Sequence, residues 1–187
     1  MASTTFSGPV TSTNGFAGDM VQTVETAEHA AGAIGTGATP KTYRWIENGV
    51  IITQIKLDLT GLTCGDAADD VIGVATDTPA AYIGRNVVAT NGIIFKVEMA
   101  CLEVPAGGDP DINFVAGSAA TNVYSTPVTG AAVILNSGDL AAGVTIQALT
   151  PSITANYYYY LTCGIATAAA YTTGQVVITT YGHAALT

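Results

Sequence analysis

Apolar and polar side chains alternate with a period of two through the middle of this chain, and this pattern constrains the fold more than any other feature. In residues 50–59 the apolar face is formed by the odd positions Ile51, Thr53, Ile55, Leu57 and Leu59. After the turn signal Asn91-Gly92, the same spacing recurs at Ile93, Phe95, Val97, Met99 and Cys101. Because successive residues of a β-strand point to opposite faces, both segments are predicted to be half-buried strands.

Shorter apolar segments, bounded by turn residues, continue this pattern toward the C-terminus. They cover residues 70–75, 131–135, 144–149, 157–163 and 175–181. None of the seven prolines lies inside a predicted strand, as expected where backbone N–H groups are needed for pairing. Many short strands without a long helix between them predict an all-β fold. We expect a β-sandwich of the jelly-roll type, with an immunoglobulin-like topology as the alternative.

Residues 1–40 differ in composition from the rest, being rich in Gly, Ala, Ser and Thr and ending at the breaker Pro40. We interpret them as an extended N-terminal arm, followed by a sandwich domain over residues 41–187. Residues 19–31 fit a short helix by their spacing, although their threonines favour extended structure equally. The arm has few large apolar side chains, so Phe6 and Phe16 are predicted to anchor it in a partner.

Charged residues are scarce, at 10% of the chain against about 25% in an average soluble protein. From Ile112 onward the only full charge is that of Asp139. Surface with so few charges is typical of faces buried against neighbours, so we expect a permanent oligomer or a docked subunit. The net charge of −9 repels phosphate groups, so nucleic acid is not an expected partner.

The N-terminus lacks the basic and apolar segments of a secretory signal, and no run approaches the roughly 18 apolar residues of a membrane helix. We expect a protein that is made in the cytoplasm and does not bind a membrane. The cysteines, Cys64, Cys101 and Cys163, form no C-x-x-C pair and are predicted to be buried, reduced thiols rather than a disulfide or a zinc site. The sequence Leu-Thr-Cys-Gly occurs at both 62–65 and 161–164, either by chance or at equivalent sheet edges.

No residue pattern typical of catalysis is found. The two histidines, His29 and His183, lie near the ends of the chain, and no G-x-S-x-G motif supplies a nucleophile. Glu98 and Glu103 come nearest to a glycosidase pair, but no aromatic cleft accompanies them. We therefore predict that the protein is not an enzyme and uses no cofactor.

Two acidic segments fit a hard-cation site in part. The first contains Asp66, Asp69 and Asp70, and the second is Asp-Pro-Asp-Ile-Asn at 109–113. The second resembles the start of a calcium loop, but Phe114 stands where the loop needs Gly, and no Glu closes it. We predict ordinary turns, in which Asp accepts hydrogen bonds from backbone N–H groups, and no metal.

The run of tyrosines at 157–160 is the most unusual segment. Alternation places Tyr157 and Tyr159 on the side of Leu161, and Tyr158 and Tyr160 on the opposite side. We predict that Tyr158 and Tyr160 contact a partner, because tyrosine is favoured at interfaces. A ladder of aromatic side chains within the fold is the alternative.

Three motifs resemble those of small virion structural proteins of tailed, marine-type bacteriophages. They are Thr-Phe-Ser-Gly-Pro-Val-Thr-Ser-Thr-Asn-Gly-Phe at 5–16, Gly-Gly-Asp-Pro-Asp-Ile at 107–112 and Leu-Asn-Ser-Gly-Asp-Leu at 135–140. This resemblance implies a head decoration, or cement, protein on the outer capsid surface. The expected partners are further copies of the chain, as a trimer, and the major capsid protein. The alternatives are a minor head, fibre or spike subunit and, third, a particle-borne carbohydrate-active enzyme.

Overall fold

The computed structural model describes residues 23–25, 29–37, 40–76, 79–165 and 168–184, and its regular structure is almost entirely β. The strands are β1 (Thr23–Glu25), β2 (Lys41–Glu47), β3 (Val50–Asp58), β4 (Gly84–Arg85), β5 (Ile93–Ala106), β6 (Ile112–Gly117), β7 (Ala132–Leu135), β8 (Thr145–Leu149), β9 (Tyr158–Cys163) and β10 (Thr173–His183). Two short helical turns accompany them, a 3-10 turn at Ala31–Ala33 and α1 at Val88–Asn91. Among the described residues, no helix has the length and apolar character needed to span a membrane.

The strands form two antiparallel sheets. One has six strands in the order β1-β2-β3-β10-β5-β8, and the other has four in the order β4-β9-β6-β7. The all-β prediction is confirmed, and the two packed sheets make a β-sandwich-like fold. The strands predicted near 50–59, 131–135, 144–149, 157–163 and 175–181 are present. Residues 70–75 instead form isolated bridges, and β2, β4 and β6 were not predicted.

The main core lies between the sheets. Its inward side chains come from alternate positions of both sheets and include Ile55, Leu57, Val97, Met99, Phe114, Tyr159, Leu161, Val176 and Ile178. The period-two reading of β3 is therefore confirmed at Ile55 and Leu57, which are buried as predicted.

The predicted alternation fails at the start of β5. Val97 and Met99 are buried, but Ile93 and Phe95 are 46% and 37% exposed, and Ile94 is buried instead. The register explains the change, because Tyr181 pairs with Lys96 whereas the next residue of β10 pairs with Ile94. Phe95 is thus the extra residue of a β-bulge, which reverses the faces of the residues before it.

The sandwich domain includes residues before 41, although the composition of the chain indicated that it begins there. The backbone N–H groups of Ala30 and Gly32 donate to the carbonyls of Tyr82 and Ala80, both at 2.9 Å, and Ala33 lies in the main core. The Cβ of any side chain at Gly32 would lie 2.2 Å from the carbonyl oxygen of Pro79, so this approach requires glycine. Thr23–Glu25 forms strand β1, so the helical alternative for 19–31 is wrong there. Phe6 and Phe16 lie outside the described residues.

The prediction of three reduced cysteines is wrong for two of them. Cys64 and Cys163 form a disulfide with their Cα atoms 5.8 Å apart, and Cys101 is free and buried. The two Leu-Thr-Cys-Gly segments lie on either side of residues 71–73, because Thr63 bridges Gly73 and Thr162 bridges Val71. Cysteines 99 residues apart are therefore brought together by the fold, which spacing along the chain does not reveal.

Candidate interaction surface

The outer face of the six-stranded sheet carries an aromatic surface. Strand register aligns one row of side chains across it: Trp45, Ile52, Tyr181, Lys96 and Leu149. The adjacent row contains Tyr43, Gln54, Thr179, Glu98 and Gln147. These residues alternate with the buried Ile55, Ile178 and Met99, so they point away from the main core. We call these two rows the aromatic face.

Exposed apolar side chains extend the aromatic face at its margin. Leu149 at the end of its row is 65% exposed, and the bulge at Phe95 turns that ring outward. The centroids of the Phe95 and His183 rings are 6.3 Å apart, and Ile93 pairs with His183 in register. The bulge thus places Phe95 at the surface, whereas alternation alone would have buried its side chain.

A polar network occupies the centre of the aromatic face. The Nζ of Lys96 lies 2.7 Å from one carboxylate oxygen of Glu98, and the hydroxyl of Tyr181 donates to the other at 2.5 Å. Lys96 also lies 4.8 Å from the centroid of the Tyr181 ring, a cation–π distance. The two charges thus pair with each other, so a partner can cover the surface without leaving either charge unpaired.

The pKa values of Glu98 and Tyr181 are both shifted from their usual values. Burial alone would raise the pKa of Glu98, but hydrogen bonds from Lys96 and Tyr181 outweigh it, and the pKa is lowered. Burial, followed by the hydrogen bond to Glu98, raises the pKa of Tyr181 to about 12.

Glu98 and Glu103 do not converge as a pair of catalytic carboxylates. Glu98 pairs with Thr179 and Glu103 with Gln175, which places them about 13 Å apart along the strand. The carboxyl groups of glycosidases lie about 5–9.5 Å apart.

The predicted exposure of the tyrosine run is wrong for Tyr160. Its side chain is fully buried, and its hydroxyl donates to the carbonyl of Ala119 at 2.5 Å. Tyr158 is half-buried, with its ring 5.0 Å from that of Tyr82 and 5.1 Å from the guanidinium of Arg85. A second, smaller core covers this outer face of the four-stranded sheet and consists of Val71, Ala81, Val115, Val128 and Tyr160. We call this outer face of the four-stranded sheet the covered face.

Residues 66–76 and 118–130 supply the cover. The N–H of Val71 donates to the carbonyl of Thr126 at 2.9 Å, and the N–H of Ala81 donates to that of Asn122 at 3.0 Å. Such long irregular segments do not reveal from sequence where they will lie. The alternation of the tyrosines was therefore predicted correctly, but the cover over one of their sides was not.

The two acidic segments meet at one end of the four-stranded sheet. Asp109 accepts hydrogen bonds from the N–H groups of Asp111 at 3.0 Å and Ile165 at 2.7 Å, and Asp70 accepts one from that of Ala67 at 3.0 Å. The prediction of ordinary turn chemistry is confirmed for these two residues. In the described ranges, no three or more His, Cys, Asp or Glu side chains are arranged to hold a metal ion.

Comparisons with known proteins leave the function to be argued from these surfaces. The chain matches no family model, no curated protein and no solved structure. The resemblance to phage virion proteins stays a prediction that rests on the three motifs. What sequence reasoning missed is the aromatic face, although the alternating Tyr43 and Trp45 in a segment of strand-favouring residues were a usable signal.

Proposed function

We propose that this protein is a virion structural subunit, a decoration protein that binds the outer surface of a phage head through the aromatic face. The observation that carries the proposal is the alignment of Tyr43, Trp45 and Tyr181 on one sheet face, bordered by the exposed Leu149. Tryptophan and tyrosine in such patches commonly supply most of the binding energy of an interface. The phage head as partner follows from the resemblance of the three motifs.

The jelly-roll topology is part of the same proposal, and the strand order supports it. When β3 to β10 are counted as strands one to eight, the sheets read 1-8-3-6 and 2-7-4-5. This is the arrangement produced when an eight-stranded antiparallel ribbon folds over into two Greek keys. β1 and β2 then extend the first sheet at its edge, continuing the N-terminal arm of the proposal.

A homo-oligomer, with a trimer as the specific proposal, is supported by the edges of the two sheets. β7 and β8 are the last strands of their sheets, and both belong to the nearly uncharged half of the chain. Val133 on β7 and Leu149 on β8 are more than half exposed. Unpaired strand edges with apolar side chains are prone to pair with another chain, and closed rings bury them completely.

Co-sedimentation with purified heads that lack the protein tests the docking proposal. Trp45→Ala is expected to reduce binding by at least tenfold, because an aromatic anchor is lost. Ile165→Ser is the matched control, since Ile165 is also exposed but lies at the other sheet, and it is expected to bind as the wild type does.

Two results would contradict the proposal. Failure of the wild-type chain to sediment with heads would overturn the decoration role. Undiminished binding of Trp45→Ala would show that another surface docks. A copy number in the virion far below that of the major capsid protein would favour the fibre or minor head alternative.

A further inference from the structure

Three buried oxygen atoms at the acidic end of the four-stranded sheet have no hydrogen-bond partner. They are Oδ1 of Asp111, Oδ1 of Asn113 and Oγ1 of Thr162. The side chains of Asn113 and Thr162 are only 3% and 1% exposed. Buried polar atoms are nearly always paired, so an unpaired cluster indicates that a group outside the protein satisfies them.

The three oxygens lie on one face of the sheet. Asn113 of β6 and Thr162 of β9 are direct partners in register, so their side chains point to the same side. Asp111 precedes Asn113 by two residues and therefore shares that side. Its carboxylate lies over Gly164, where a Cβ would be 2.0 Å from the carboxylate carbon, so it leans toward the end of β9.

Negative charge surrounds Asp111 and is not balanced nearby. Asp139 is its bridge partner, and the N–H of Asp69 bonds to the carbonyl of Cys163 at 2.8 Å. The pKa of Asp111 is raised by burial and then by the charges of Asp109, Asp139 and Asp69. No cationic side chain contributes to that shift, so carboxylates repel one another here without a counter-charge.

The end of the sheet also has room for a ligand. Asp69 and Thr162 line the same pocket, which has a volume of about 130 Å³ and is otherwise walled by apolar side chains such as Val115 and Val128. Asp69 of the first acidic segment and Thr162 of β9, which are far apart in sequence, thus border one space at this end of the sheet.

We propose that a single divalent cation, calcium, binds between Asp111, Asn113, Thr162 and Asp69. Carboxylate, amide and hydroxyl oxygens are the ligands that calcium takes, with water completing its six to eight positions. Zinc prefers thiolate and imidazole ligands, which this cluster does not offer. With only two carboxylates among the ligands, we expect a weak site with a dissociation constant of about 10⁻⁴–10⁻³ M. This inference does not depend on the proposed function.

The ion would add a further link between three segments that backbone hydrogen bonds and the disulfide already bring together. It would bind the turn before residue 71, the start of β6 and the end of β9, beside the Cys64–Cys163 disulfide. Its binding energy would therefore stabilise the cover of the four-stranded sheet.

Thermal unfolding of the full chain, with calcium or EDTA at matched ionic strength, tests the proposal. Calcium at 10 times the dissociation constant is expected to raise the melting temperature by roughly 2–5 °C. Asp111→Asn is expected to abolish this rise. Glu103→Gln removes an exposed carboxylate from a distant strand and is expected to keep it. Calorimetric titration with calcium chloride is expected to give one site per chain.

A second variant keeps the test decisive if Asp111→Asn does not fold. Asn113→Asp adds a carboxylate to the site and is expected to lower the melting temperature in EDTA while tightening calcium binding. The proposal is overturned if calcium has no effect on the wild type. It is equally overturned if calcium stabilises Asp111→Asn and Glu103→Gln by the same amount, which would indicate general charge screening.

Discussion

The two sheets of this protein have outer faces of opposite character. On the covered face, Tyr160 is sealed by irregular segments of the same chain, and its hydroxyl bonds to a backbone carbonyl. On the aromatic face, the hydroxyl of Tyr181 donates to Glu98, a carboxylate of the same sheet, and Leu149 remains largely exposed. The same residue type is thus a core residue in one sheet and a surface residue in the other. The difference lies in whether a described segment of the chain folds back over the face, and a face that no described segment covers is free to bind a partner.

The largest expected effect is the loss of the Tyr160 side chain from the covered face. Tyr160→Ala should lower the free energy of unfolding by about 3–5 kcal/mol, because it opens a cavity and removes a hydrogen bond. Trp45→Ala on the aromatic face should cost about 1 kcal/mol, since its surroundings are partly solvent. Urea unfolding measures both. Equal losses would contradict the assignment of one face as core and the other as surface.

The disulfide provides a second test of the difference between the two faces, because it ties the covering segment to β9. Cys64→Ser with Cys163→Ser should lower the free energy of unfolding by about 2–4 kcal/mol, as expected for a crosslink that closes a loop of 99 residues. Hydrogen exchange should rise in residues 66–76 and at the end of β9, with β2 and β3 little changed. Cys101→Ser, at the free cysteine, is the control for removing a thiol alone. Uniform faster exchange over both sheets would contradict a local role for the bond.

The smallest expected effect concerns the polar network of the aromatic face. Tyr181→Phe should lower the free energy of unfolding by about 1 kcal/mol at neutral pH, through loss of the hydrogen bond to Glu98. Tyr43→Phe, on the same face, is the control for removing a hydroxyl.

The stability that the Tyr181–Glu98 hydrogen bond contributes is lost both at high pH and at low pH. The pKa of Tyr181 is raised from 10.0 to about 12, so its contribution is complete below pH 10 and is lost as the pH rises through 12. The pKa of Glu98 is lowered from 4.5, so its contribution is complete above pH 4.5 and is lost as the pH falls through the lowered value. Stability curves measured across both ranges should be flatter for Tyr181→Phe than for the wild type. Curves of the same shape would contradict the network.

Much of the fold follows from local pattern, and the exceptions have identifiable causes. The burial of Ile55 and Leu57 was predictable, because a straight strand keeps its period of two. The exposure of Phe95 was not predictable, because the bulge depends on pairing with β10, a strand some eighty residues later in the chain. The candidate surface was missed for a similar reason. Trp45 shares a row with Tyr181 and Lys96 only because β2, β10 and β5, which are distant in sequence, are assembled into one sheet.

The sequence by itself determined the all-β class, the position of most strands and the shortage of charge, because these depend on the order of neighbouring residues and on composition. The tertiary structure alone decided which faces are covered. It also decided that Cys64 meets Cys163 and that the charge of Asp69 acts on Asp111. Those contacts join segments separated by tens of residues, and the free energy that forms them comes from packing the whole sandwich rather than from any local preference. The chemistry proposed for this protein is located at those long-range contacts.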